Sequence, residues 1–295
     1  MNMRYRISGL ARLFCGMMAI VLAAGAASAG SLPRLVDGYR IGVYAHVDQP
    51  TKLSFSHDGS LYVGRDAGNR IHKIGPGGHP VVEFGPEQLD PDAVLADDDG
   101  RISGHRYAVL VGGGTILAAI YRNQQSAVIF DNVGFSDVDD MKFDRNGRLV
   151  FADDAPLVWA STGGPPTVLF STPSRASSLA IDDDNRIFIA LNDGTIRIYD
   201  QNGQPAGIFA SGLDTHLNLY IALGEGRGGF GRFLYALSGS TLWRFTPNGS
   251  ATVIGTGFSV GPSTGTGLVF GPDHALYVSD FPGNRILRIS RGNGD

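Results

Sequence analysis

Asp92, Asp139 and Asp140 each stand at the entry to a short apolar segment, AVLA from Ala93 or DMKF from Asp140. Thr51, Ser177 and Thr266 hold the equivalent place ahead of KLSF, SLAI and GLVF. Carboxylates and hydroxyls brought to one place, without matching lysines or arginines, form the donor set of a hard divalent cation. Calcium in particular takes oxygen ligands from carboxylates, amides and carbonyls. The same residue types have a second use, because Asp and Asn side chains close turns between strands. Ligand and turn chemistry therefore both remain open for Asp92, Asp139 and Asp140, and the elements that carry them decide whether they meet.

Those elements repeat. LYVGRDAGNRI, from Leu61, and LYVSDFPGNRI, from Leu276, are identical at seven of eleven positions across 215 residues. Between them the apolar pair recurs at Ile102, Leu149, Ile187 and Leu234, a mean spacing of about 43 residues. A second strand-like run follows each, from RIHKI at Arg70 to RILRI at Arg285. A further run follows in five units: VVEF, AVIF, TVLF, GIFA and TVIG. The runs alternate or are continuously apolar and are bounded by Gly, Asn, Asp or Pro, which are strand signals. A four-stranded unit repeated at this period predicts an all-β fold, a six-bladed β-propeller. The sixth unit lacks its last strand, and Gly38–Val47 is predicted to supply it, closing the last blade. Segment 30–295 then forms a single propeller domain, with blade five too irregular to register beyond Asn218.

In such a ring the residues ahead of each innermost strand converge on one rim of the central channel. The turns after the second strands add Arg65, Asp66, Asp153, Asp154, Asn192 and Asp280, of which Asp153 and Asp280 also read as strand-end caps. DDDG at Asp97, DRNG at Asp144 and DDDN at Asp182 are turns of the opposite rim.

The phrases D-G-x-L-Y-V and G-N-R-I, at Asp58 to Ile71 and again at Tyr277 to Ile286, resemble the NHL-repeat propellers and the related gluconolactonase (senescence-marker-protein) family. The resemblance covers the chain from residue 30 as architecture and implies a metal at the channel rim, held by acidic or amide residues from four blades. Asp92 and Asp139 suit that pattern, whereas Thr51 and Ser177 depart from it. The resemblance makes Asp48, two residues before Pro50, the substitute for the first ligand.

Two functions follow. One is a ligand-binding or interaction scaffold that presents its rim to a small molecule, glycan or peptide, with a calcium or other divalent-cation site at the channel. The other is a metal-dependent hydrolase of lactone or ester type with a degenerate site, in which the ion would polarise the carbonyl. A quinone-dependent sugar dehydrogenase is disfavoured, since its histidine and arginine loops are not identifiable. The seven histidines do not cluster. GFSVG at Gly257 and GEGRGG at Gly224 match the nucleophile-elbow and dinucleotide patterns but lack the helix each needs.

Residues 1–29 have Arg4, Arg6 and Arg12, an apolar run from Leu13 to Ala24 and an Ala27-Ser28-Ala29 exit, which predict a cleaved secretory signal and a periplasmic or extracellular protein. The sole cysteine, Cys15, lies within that segment, so the exported chain must rely on its core. Cleavage takes the net charge from -4 to -7, which argues against nucleic acid as a partner. No later apolar run supports stable membrane insertion, and a closed ring is expected to be a monomer.

Overall fold

The computed structural model describes residues 30–66, 70–87, 91–214, 218–259 and 266–292. The predicted signal lies outside them. Among the described residues there is no helix, and so none long and apolar enough to cross a membrane.

Among the described residues there are six antiparallel sheets of the predicted kind, each running in chain order from the inside outward apart from the N-terminal strands that are added outside blades five and six. Their innermost strands are Pro50–Phe55, Ala93–Asp97, Val138–Phe143, Ala176–Ile181, Tyr220–Leu223 and Leu268–Phe270. These strands contact one another in sequence, and the sixth returns to the first. The ring closes as predicted: Tyr39–His46 pairs antiparallel with Arg285–Arg291, with Val43 opposite Leu287. An additional two-residue strand, Arg34–Leu35, pairs with the outermost strand of blade five, Ala251–Thr256.

Burial follows the ring. Six apolar clusters lie one at each junction between neighbouring blades, as with Val150, Ala152, Leu179 and Ile189 between blades three and four. Each sheet is therefore covered on both faces, which explains why the second strands are continuously buried (Ile187–Leu191, for example) and read as apolar runs.

The turns of the lower rim repeat one device. The first Asp accepts backbone hydrogen bonds two and four residues on: Asp144 from Asn146 and Arg148, Asp182 from Asp184 and Arg186. Gly147 at φ 80° and Asn185 at φ 59° fill the left-handed position that completes the turn.

Two strand expectations differ from the structure. Ile102 is not in a strand. Asp97 accepts from the N–H groups of Arg101, Ile102 and Ser103, holding them in a ten-residue turn, and the second strand of blade two is Ala108–Gly113. Blade five registers through Tyr220 opposite Leu237 and Leu223 opposite Leu234. This places Leu219, not Asn218, at the position equivalent to Thr51.

Candidate functional site

The innermost strands bring Thr51, Asp92, Asp139, Ser177, Leu219 and Thr266 to equivalent positions at the upper rim. One residue farther along stand Lys52, Asp140, Ser178 and Tyr220 in blades one, three, four and five. The chemistry is concentrated in this pair of layers.

Lys52 is the residue that sequence reasoning overlooked. It is only 5% exposed, and it reaches from blade one to blade four, where its Nζ donates to the Ser177 carbonyl at 3.0 Å. The ammonium also lies 4.8 Å from the centroid of the Tyr220 ring, on blade five. Burial pushes the Tyr220 hydroxyl up to about 12, against hydrogen bonds involving Thr266 and Asn218. The channel is thus crossed by a cation that lies against an aromatic ring.

The predicted ligands have partners of their own. Arg175 donates a forked pair to Asp139, Nη2 to Oδ1 at 2.6 Å and Nε to Oδ2 at 3.2 Å, and its Nε also lies 2.6 Å from Asp154 Oδ1. Burial pushes the Asp139 carboxyl above its ordinary value, opposed by Arg175 and more weakly by Lys52. Arg175 is raised: burial alone would lower it, but Asp139 and Asp154 overcome that.

Asp140 is the most fully engaged carboxylate. Its Oδ1 accepts from the Met141 N–H at 2.9 Å and Lys142 Nζ at 2.7 Å; its Oδ2 accepts from Ser178 Oγ at 2.9 Å and the Leu179 N–H at 3.0 Å. Burial would raise this carboxyl, but the Lys142 and Lys52 charges and those hydrogen bonds bring it to about 2. Ser178 Oγ in turn accepts from the Ile221 N–H at 3.2 Å, so one side chain after another ties blade three to four and four to five. Ser177 Oγ donates to the Leu219 carbonyl at 2.7 Å. Asp48 is exposed and pairs with Arg65 at 3.2 Å. Asp92 is half-buried at its rim position and is also engaged.

The rim carboxylates therefore do have matching cations, contrary to the sequence expectation. Lys52 lies within the innermost strand of blade one and Arg175 one residue ahead of that of blade four, and neither belongs to the row of positions that the repeat makes conspicuous. The cap reading of Asp153 and Asp280 is right. Asp153 accepts from Ser136 and Asp137 N–H groups and from Trp159 Nε1 at 3.0 Å, and Asp280 from Arg285 Nε at 2.6 Å. Among the described residues, no three His, Cys, Asp or Glu side chains are grouped to hold a metal.

No family model and no curated protein matches the sequence. Solved structures do match its shape. A gluconolactonase from Xanthomonas campestris superposes with TM-score 0.68 at 14% identity, covering 89% of this chain and 96% of that one. The fold is that of the gluconolactonase-like six-bladed propellers. A streptogramin B lyase matches with TM-score 0.61 at 10% identity, covering 86% of this chain and 98% of the other. An auxiliary nutrient binding protein from Bacteroides ovatus matches with TM-score 0.65 at 11% identity, covering 87% and 77%. Proteins named as a gluconolactonase, a lyase and a nutrient binding protein thus share this frame, and at these identities the likeness shows the fold alone.

Proposed function

We propose that this chain is an exported, monomeric ligand-binding propeller whose channel works without a divalent cation. The observation that carries this reading is the Lys52 ammonium, hydrogen-bonded across the channel to blade four. A positive charge fixed by the chain itself sits beside the carboxylates that a metal would need, and a second cation close to it would be repelled. The donors do not fit such an ion. Both oxygens of Asp139 accept from Arg175, and both oxygens of Asp140 accept from blades three and four. Asp48 is turned to Arg65, and Ser177 donates its proton to a carbonyl.

A small polar molecule, glycan or peptide reaching this rim meets the partly exposed Arg175–Asp154 pair, which offers both donors and acceptors. The net charge of the chain without residues 1–29 supports a partner other than nucleic acid. The alternative, a metal-dependent lactone or ester hydrolase, would require Asp139 and Asp140 to give up these partners.

A thermal-shift series with calcium, magnesium, manganese and zinc, paired with sugar-lactone turnover, tests the reading. The expected result is no metal-dependent rise in melting temperature and no turnover. A calcium-dependent rise accompanied by lactone hydrolysis, both lost in Asp139→Ala, would overturn it in favour of the hydrolase.

A further inference from the structure

A second concave surface lies away from this rim. A cleft of about 690 Å³ lies between blades four and five at the other end of the innermost strands. Its floor is apolar: Phe188 is buried there, while Ile181, Ile198, Phe209 and Leu223 are only half-covered. The volume is in the range of small-molecule sites, which pair apolar walls with a few placed polar groups.

One wall comes from an inserted turn of blade five. The connection between the first two strands of blades one, three, four and six is a five-residue turn, whereas blade five, like blade two, has ten residues there, between Leu223 and Leu234. That insertion brings Arg227 and Arg232 to the cleft, opposite Arg145 and Arg186 from the turns of blades three and four. Arg145 and Arg232 both pair with the single carboxylate of Asp183, so one guanidinium charge is left in excess. Arg227 is exposed and has no side-chain partner among the described residues. Arg186 pairs with Asp182 at 2.7 Å and lies 5.8 Å from the Phe188 ring centroid. Glu225 lies 3.8 Å from His274, and Asp184 has no side-chain partner among the described residues, so the cleft is not uniformly basic. The uncommitted cation of the insertion is Arg227, while Arg232 beside it shares the Asp183 carboxylate with Arg145.

We propose that this cleft binds a small amphipathic carboxylate, its apolar body on Phe188, Phe209 and Leu223 and its head group at Arg227 and Arg232. A guanidinium recognises a carboxylate by two parallel hydrogen bonds, which an alcohol head cannot reproduce. The site is separate from the channel cluster and stands whether or not that cluster proves metal-free.

Isothermal titration of the full chain with decanoate, with displacement of 8-anilinonaphthalene-1-sulfonate as a second readout, tests the assignment. Saturable one-to-one binding is expected. Decanol should bind at least about tenfold more weakly, as should decanoate to Arg227→Glu/Arg232→Glu, the factor that a lost charge-assisted hydrogen bond gives. Leu223→Asp should abolish binding, and Arg122→Glu on blade two should leave it unchanged. Acetyl-leucyl-leucine distinguishes a peptide C-terminus from a free aliphatic acid as the source of the same chemistry. The two arginines are on the surface, and the Arg232–Asp183 pair that is lost is solvent-exposed, so the double variant is expected to melt close to the parent. Absence of saturable decanoate binding, equal affinity for decanol, or undiminished binding by the double variant would overturn the proposal.

Discussion

At the residue scale, Asp140 shows how a side chain that resembles a ligand serves as a fastener. A carboxylate accepting several hydrogen bonds and flanked by ammonium groups is held ionised although buried. Its acidity in the folded chain, at about 2, lies below the ordinary carboxylate value of 3.8. The unfolded chain therefore takes up this proton first on acidification, and the contribution to stability is complete above about pH 4 and lost as pH falls through about 2. The difference is worth about 2 kcal/mol. Urea denaturation of the parent and Asp140→Asn should show a stability gap that is constant at neutral pH and narrows by this amount towards pH 2. A gap that does not change with pH would mean that Asp140 is not held as an anion.

At the scale of elements, the blades meet so closely that some positions tolerate no side chain. A Cβ on Gly112, in the second strand of blade two, would lie 2.7 Å from Val138 Cβ at the start of blade three. Gly112→Ala should cost about 2 kcal/mol through overpacking, measured as a lower urea midpoint with unchanged slope. The repeat made most strands legible because alternation and turn residues recur at a fixed period. It failed where a turn was lengthened: Ile102 is apolar and buried, yet Asp97 folds its backbone into the turn of blade two. It also failed in blade five, where the ten-residue insertion breaks the period. Periodicity locates positions but says nothing of what lies across the channel. The Lys52 contact to Ser177 spans 125 residues and three blades, and no local pattern announces it.

At the scale of the whole molecule, closure by Tyr39–His46 removes the seam between the ends of the chain but not the outer edges of the blades. Those edges include exposed Val82, Val128, Val168 and Ile208 and are interrupted by register shifts in blades two, three, four and five. Bulged, short edges pair poorly with other chains. Inside the ring, the blades converge on an axis at which carboxylates from blade three would repel one another without a counter-charge. Arg175, Lys142 and, from across the channel, Lys52 supply it from within the chain, and a fixed cation, unlike a metal, is independent of the surrounding solution. The most direct measurement is lysine 15Nζ NMR of the full chain, with Lys52→Met to assign the signal. One slowly exchanging ammonium resonance, unchanged by added calcium, is predicted. Its absence in the parent, or its displacement by stoichiometric calcium, would contradict the account.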